Sequence, residues 1–162
     1  MKYIITGILL ITTLFAKAQI INIPDANFKA ALISLGVDTN NDGEIQQTEA
    51  NGVTNIEITL QWNEYAISDL TGIRSFTNLQ SLDCHNQQLS TLDISGMTSL
   101  KKLNCSSNQV ATLNIDGCIN LQRLFCQNNV LQNINLSNHA NIDSVNISNN
   151  GNLQLFIAEN CS

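Results

Sequence analysis

The sequence predicts a solenoid of parallel β-strands, stacked in coils of about 21 residues, behind a short α-helical cap. Three observations predict it. Three consecutive 21-residue segments align without gaps from Leu79, Leu100 and Leu121. Their apolar residues fall at the same places in each segment. A helix-forming stretch and an acidic loop come before the first of them.

Six apolar columns run through the three segments. Each segment opens with L-x-x-L-x-C, in which the second Leu and the Cys point to the same face of a strand because they are two apart. The second half has its own apolar set, which predicts a strand on the opposite wall. Stacked segments can bury faces that one segment alone leaves exposed. The columns are Leu79, Leu100 and Leu121; Leu82, Leu103 and Leu124; Cys84, Cys105 and Cys126; Leu89, Val110 and Leu131; Leu92, Leu113 and Ile134; and Ile94, Ile115 and Leu136.

Polar and sulfur-bearing side chains also recur with the repeat. Asn108 and Asn129, with Gln87 before them, stand where the chain turns inward and can hydrogen-bond backbone groups there. The cysteine column is predicted to be buried thiols rather than crosslinks or a metal site, since small thiols fill cores well. Cys118 shares a column with Met97 and is also expected in the core, whereas Cys161 stands outside the pattern.

These segments resemble the leucine-rich-repeat family, whose pattern is L-x-x-L-x-L/C-x-x-N-x-L. The resemblance extends from Leu79 to about Ala140, and residues 67–73 are similar to repeats of internalin-like bacterial surface proteins. It implies a leucine-rich-repeat solenoid and a role in interaction. One longer, irregular repeat precedes the regular ones, with apolar residues at Val53, Ile56, Ile58, Ile67, Leu70, Ile73 and Phe76.

The register after Ile142 has two interpretations. Residues 145–148 fit a first-half strand, with Asn150 in the Asn column. They fit a second-half strand equally well, with Leu153 opening the next coil. Both interpretations stay open at the level of sequence.

Residues 1–18 have the features of a cleaved bacterial signal peptide. Lys2 is followed by an apolar stretch from Tyr3 to Phe15 and by Ala16-Lys17-Ala18. The stretch is shorter than the roughly 20 residues that a membrane span needs. We therefore expect an exported protein, secreted or at the cell surface, without membrane insertion after cleavage. A cap over residues 19–52 and a solenoid over residues 53–162 are the predicted divisions.

The charge balance disfavours two classes of partner. Without the first 18 residues the chain has five basic and thirteen acidic residues, a net charge of −8. Nucleic acids and anionic membranes require a positive surface. We therefore expect neither as a partner.

A calcium loop is predicted over residues 38–49. The preceding helix is expected to begin at Asp25, to place Phe28, Ala31, Leu32 and Leu35 on one face, and to end at Gly36. The loop follows the twelve-residue EF-hand pattern, with Gly43 at the sharp turn and Ile45 as the apolar anchor. A structural Ca²⁺ is the expected cofactor. Its expected ligands are Asp38, Asn40, Asp42, the backbone carbonyl of Glu44, Gln46 through water, and Glu49.

The sequence predicts an interaction module rather than an enzyme. It has no H-E-x-x-H, no G-x-S-x-G and no phosphate-binding glycine loop, and its two histidines, His85 and His139, occupy different columns. The outward residues of the first-half strands form the expected face for an extracellular protein or glycan. The rows are Ser81, Asp83, His85; Lys102, Asn104, Ser106; and Arg123, Phe125, Gln127, preceded by Asn55, Glu57 and Thr59.

Phe125 and Arg123 are the expected anchors of this face, because aromatic residues and Arg dominate interfaces. Trp62 and Tyr65, in the longer turn of the irregular repeat, are expected to pack within the cap region. The alternative function is an accessory or spacer region of a longer exported protein, with an enzyme among the options. No polar cap follows the last coil, so we expect a truncated chain or a partner covering that coil.

Overall fold

The computed structural model describes residues 19–58, 66–151 and 153–156. The predicted signal peptide, Thr59, Trp62, Tyr65 and Cys161 lie outside the described residues. The helices and strands of this part of the chain are α1 (Ala26–Ser34), α2 (Gln47–Ala50), β1 (Asn55–Glu57), a 3₁₀ turn (Ile73–Ser75), β2 (Ser81–Asp83), β3 (Thr91–Asp93), β4 (Lys102–Asn104), β5 (Thr112–Asn114), β6 (Arg123–Phe125), β7 (Asn133–Asn135), β8 (Ser144–Asn146) and β9 (Gln154–Phe156).

The first-half strands form one parallel sheet, which we call the front sheet. Its order is β1-β2-β4-β6-β8, and each strand pairs with the next first-half strand of the chain. From β2 onward the Cα partners are 21 residues apart, as with Leu82, Leu103 and Leu124. The first coil is longer, since Ile56 pairs with Leu82. The predicted solenoid fold is confirmed.

The second-half strands form the opposite wall. β3 pairs with β5, and β7 pairs with β9, again in parallel. Between the two walls lies a single hydrophobic core that contains every predicted apolar column from Leu79 to Leu136. The core continues through the irregular first coil, where Ile56, Ile67 and Phe76 are buried and Val53 is half-buried.

The Asn column connects each coil to its neighbours from within the core. The Asn108 side-chain oxygen accepts from the backbone N–H of Leu89 at 3.0 Å, and its amide nitrogen donates to the Cys84 carbonyl at 3.0 Å. Asn129 makes the equivalent bonds to Val110 and Cys105. These bonds satisfy backbone groups that the inward turn would leave buried without partners.

The register after Ile142 follows the first interpretation. β8 pairs with β6 in the front sheet, with Val145 opposite Leu124. Asn150 accepts from the Leu131 N–H at 3.0 Å and donates to the Cys126 carbonyl at 3.0 Å. The alternative, a second-half strand at residues 145–148, is wrong.

The cap covers the first coil with one helix and the loop that follows it. Asp25 caps α1 as predicted, accepting from the N–H groups of Asn27 and Phe28. Phe28 and Leu32 are fully buried, but Leu35 is 47 % exposed because the chain leaves the helix there. Gly36 follows with a positive φ of 76°, which suits glycine at a helix end.

A short antiparallel bridge joins the start of the described chain to the loop. Ile20 pairs with Gln46, and the Ile21 N–H donates to the Ile45 carbonyl at 2.8 Å. Ile45 is fully buried, which confirms it as the apolar anchor of the loop. Neither helix found in residues 19–156, where described, is long and apolar enough to cross a bilayer.

Candidate functional site

The front sheet carries the predicted binding face in three columns across its strands. Asp83, Asn104 and Phe125 are register partners, as are Ser81, Lys102 and Arg123. β8 extends both columns with Ser144 and Asn146, which the open register had kept off the predicted face. Asn150 in the Asn column was the signal that could have placed them. The third column contains His85, Ser106, Gln127 and Ser148, each two residues after the middle column.

Asp83 is held by bonds within the face. One carboxylate oxygen contacts the His85 ring, and the other accepts from the Asn104 amide at 3.0 Å. Burial tends to raise the pKa of Asp83, but the hydrogen bonds from His85 and Asn104 hold it below its ordinary value. Asp83, His85 and Asn104 therefore form one fixed polar cluster. No Ser, Thr or Cys side chain among the residues described bonds to the His85 ring.

Ser106 departs from its expected outward position. It is only 6 % exposed, and its hydroxyl donates to the Asn104 side-chain oxygen at 2.7 Å. Ser148 makes the same bond to Asn146. A short hydroxyl side chain bonds its neighbour two residues earlier instead of reaching solvent.

Phe125 occupies the position equivalent to Asn104 and Asn146. It has no side-chain oxygen, so it cannot accept a hydrogen bond from the residue two positions later. That residue is Gln127, and its side-chain oxygen is buried without a hydrogen-bond partner in the described part of the chain. Phe125 itself is half-buried. The face thus has one aromatic surface among amide and hydroxyl groups.

Lys102 and Arg123 lie side by side as register partners on β4 and β6. Lys102 is half-buried and Arg123 is exposed. Within residues 19–58, 66–151 and 153–156 neither cation has a hydrogen-bond or ion-pair partner. Two unpaired positive charges therefore stand next to Phe125 on the front sheet.

The predicted calcium loop is folded around its own side chains. Asp38 accepts from the N–H groups of Asp42 and Gly43 at 3.2 and 2.9 Å. The Gln46 amide donates to Asp42 at 2.9 Å, and the Asn40 amide donates to Gln46 at 2.9 Å. The side chains of Asn40, Asp42 and Gln46 thus bond to one another, and that of Asp38 bonds to the backbone of the same loop.

Glu49 and Glu44 occupy different surroundings. Glu49 accepts from the N–H groups of Thr39 and Gln46, both at 2.8–2.9 Å. Burial tends to raise its pKa, but these bonds lower it below the ordinary value. The Glu44 side chain instead pairs with Lys29 at 2.7 Å. Among the residues described, no three His, Cys, Asp or Glu side chains are close enough together to hold a metal.

Comparison with known proteins agrees with this architecture. A family model described as "Leucine Rich repeats (2 copies)" matches residues 77–117. The functional domain of InlJ from Listeria monocytogenes, which is described as including a cysteine ladder, aligns at 24% identity and a TM-score of 0.58. The alignment covers 83% of this chain and 34% of that one. No curated protein was found to match the sequence.

A second solved structure has the same fold. Internalin C2 from Listeria monocytogenes str. 4b F2365 aligns at 21% identity and a TM-score of 0.57, over 86% of this chain and 71% of that one. The fold is therefore a leucine-rich-repeat solenoid, with internalins as structural neighbours. The chain spans about a third of the length of the InlJ domain.

Proposed function

We propose that this protein is an exported interaction module that binds an extracellular protein or glycan with the front sheet. The observation that carries the proposal is the set of unpaired side chains on that sheet. Lys102, Arg123 and Phe125 are free to contact a ligand, whereas the neighbouring Asp83 cluster is fixed by its own bonds. Aromatic residues and Arg contribute most to known interfaces.

Binding assays with two variants test the proposal. The chain from residue 19 is applied to a glycan array and used in a pull-down of surface proteins. Phe125→Ala and Arg123→Ala should each reduce capture by roughly tenfold, as loss of an interface anchor costs at least 1–2 kcal/mol.

Matched controls are available on other surfaces. Arg74→Ala removes an exposed arginine that pairs with Asp93, and Ile119→Ala removes an apolar side chain that is 55 % exposed. Both should leave capture unchanged. Unchanged capture with both front-sheet variants would contradict the proposal.

A structural calcium ion in the cap is part of the proposal. The contacts among the Asn40, Asp42 and Gln46 side chains, with the Asp38 carboxylate bonded to the same loop, support it, because carboxylate and amide oxygens are ligands that Ca²⁺ takes. The amide of Asn40 would have to present its oxygen to the ion, and the amide of Gln46 would have to present its oxygen to a bridging water. Glu49 would have to exchange its backbone partners for the ion. Bound Ca²⁺ would fix the acidic loop against the buried Ile45 and so stiffen the cap.

A second candidate is an accessory or spacer region of a longer exported protein. The observation that supports it is that this chain spans only about a third of the InlJ domain. A spacer would show no saturable binding by the front sheet. The same capture assays therefore separate the two candidates, since a spacer predicts equal background capture for the parent chain and all four variants.

A further inference from the structure

We infer that the front sheet takes a carboxylated oligosaccharide, with the acid group between Lys102 and Arg123 and a sugar ring on Phe125. The inference rests on the proposed function, and it specifies the class of ligand. It follows from three features: two positive charges on the front sheet without partners, the negative net charge of the rest of the chain, and the polar side chains beside the two cations.

The two cations are an unsatisfied arrangement. Adjacent in-register strands lie about 4.8 Å apart, and like charges directly opposite each other destabilise a sheet. Lys102 and Arg123 are such a pair. The other cations in the described ranges have partners: Lys29 pairs with Glu44, Arg74 with Asp93, and Lys101 donates to Gln80. An anion placed between Lys102 and Arg123 would relieve their repulsion.

Lys102 and Arg123 are the only Lys or Arg residues in the five described strands of the front sheet, which makes this part of the sheet suited to an acid. From residue 19 onward the chain has thirteen acidic and five basic residues, so an anionic ligand is repelled from most of the surface. Asp83, the nearest carboxylate along the middle column, already accepts from His85 and Asn104. Arginine offers a planar fork that matches a carboxylate, and lysine adds a point charge.

The bordering side chains favour a sugar over a protein segment. Phe125 has Asn104 and Asn146 as register partners, and Arg123 has Ser144. Amides and hydroxyls can both donate to and accept from sugar hydroxyls. The core of a protein interface is more apolar than this, whereas here a single aromatic stands among polar groups. The face of a sheet also offers no free backbone N–H for pairing with an extended peptide.

Calorimetry with one oligosaccharide in two forms tests the inference. Tetragalacturonate is titrated into the chain from residue 19, and its methyl ester serves as the uncharged ligand of the same shape. The acid should bind at least tenfold more tightly than the ester, and high salt should weaken only the acid. Lys102→Gln and Arg123→Gln should each weaken binding of the acid by roughly tenfold, since one charge-assisted hydrogen bond is worth about that much.

Lys101→Gln is the matched control, because it removes the same charge one residue away and Lys101 donates to Gln80. It should leave binding unchanged. Equal binding of acid and ester, equal losses from Lys101→Gln and Lys102→Gln, or no binding of either sugar would overturn the inference. An acidic peptide, oligoglutamate, that binds as tightly and responds to the same variants would also overturn it.

The experiments distinguish failure of this inference from failure of the proposed function. Capture from the array or the surface proteins that Phe125→Ala abolishes, without any response to Lys102→Gln, would keep the front sheet as a binding surface and exclude the acid. Loss of all capture in the parent chain would remove both.

Discussion

A column of residues with positive φ turns the chain after the front strands β2, β4, β6 and β8. Asn86, Asn128 and Asn149 have φ values of 55°, 57° and 57°, and Ser107 has 54°. Asparagine tolerates this left-handed region, whereas other residues with a Cβ pay roughly 1–2 kcal/mol there. Ser107 is therefore the one member of this column whose residue type disagrees with its backbone.

Ser107→Asn is expected to stabilise the protein by up to about 1 kcal/mol, because it removes part of that cost. Urea unfolding followed by circular dichroism measures the change. Asn86→Ser, the reverse exchange one coil earlier, should cost a similar amount. A neutral or destabilising Ser107→Asn would show that the turn imposes no strain on serine.

Asn129 is expected to contribute more to the free energy of unfolding than Ser107, because three buried backbone groups bond to its side chain. Its side chain accepts from Val110 and donates to Cys105 and Cys126. Asn129→Leu should cost about 3 kcal/mol or more, since each buried group without a partner costs about 1–3 kcal/mol. Asn133→Ala, at an exposed position of β7, should cost under about 0.5 kcal/mol. Similar losses in the two variants, measured by urea unfolding, would contradict the structural role of the column.

Among the elements, α1 and the first coil are joined through a single carboxylate. One oxygen of Asp25 caps α1, and the other accepts from the N–H groups of Ser68 and Asp69 at 2.9 and 3.1 Å. Burial tends to raise the pKa of Asp25, but the bonds from Phe28, Ser68 and Asp69 lower it. Asp25 thus serves two elements that are more than 40 residues apart in the chain.

Asp25→Ala should destabilise the protein by about 2 kcal/mol at neutral pH, through loss of the cap and of the bonds to the first coil. Asp25→Asn keeps an oxygen for the cap and should lose only the second part. Because the folded pKa is lowered, the contribution is complete above the ordinary value of 3.8 and declines as the pH falls through the folded pKa. Thermal melting at pH 7 and at pH 2.5 should show the gap between parent and Asp25→Ala narrowing in acid; a constant gap would contradict this.

The calcium loop yields a prediction for the cap as an element. An affinity on the order of 10⁻⁴ to 10⁻³ M at 10 mM Ca²⁺ corresponds to roughly 1.4–2.7 kcal/mol of added stability. The melting temperature should rise accordingly. Asp42→Asn should reduce the rise, because it removes charge from the loop while an oxygen remains for the Glu44 N–H. Asp116→Asn, outside the loop, is the control and should leave the rise intact. No rise in the parent chain would remove calcium from the proposed function.

Periodicity predicted the stacking of these elements, but contacts between coils decided what periodicity could not. Residues 145–148 fit two strands, and the bond that decides between them runs from Asn150 to Cys126, 24 residues earlier. Alternation predicted that Lys102, Arg123 and Phe125 face outward. That two of them lack partners depends on side-chain contacts, which no local pattern encodes. Ser106 was predicted to face solvent, but its hydroxyl bonds to Asn104. The alternation of residues along a strand does not determine which hydrogen bonds the side chains form.

At the scale of the whole molecule, the thiols report on the core. Cys84, Cys105, Cys118 and Cys126 are fully buried and free. Burial raises the pKa of the Cys118 thiol to about 11 and that of Cys126 to about 12, and it raises those of Cys84 and Cys105 as well. The thiolate is the reactive form, so these side chains are protected from reagents because they are buried and because they stay protonated.

Labelling with iodoacetamide at pH 8, in a Cys161→Ser background, should therefore modify these four cysteines only when the protein unfolds. Mass spectrometry should find all four modified in urea and fewer than about one in a hundred chains modified without it. Glutathione under the same conditions gives the rate of an unprotected thiol. Rapid modification of one cysteine in the native protein would place that residue at the surface.

The Asn column has a consequence for how such a protein can change its length. Asn108, Asn129 and Asn150 each reach back to the coil before them with the same bonds. If one 21-residue unit were removed, the coils on either side of it could form the same bonds with each other that each had formed with the removed unit. An inserted copy could form them as well. The number of coils is therefore open to variation by duplication and loss, and the reach of the molecule can be altered without redesigning any joint.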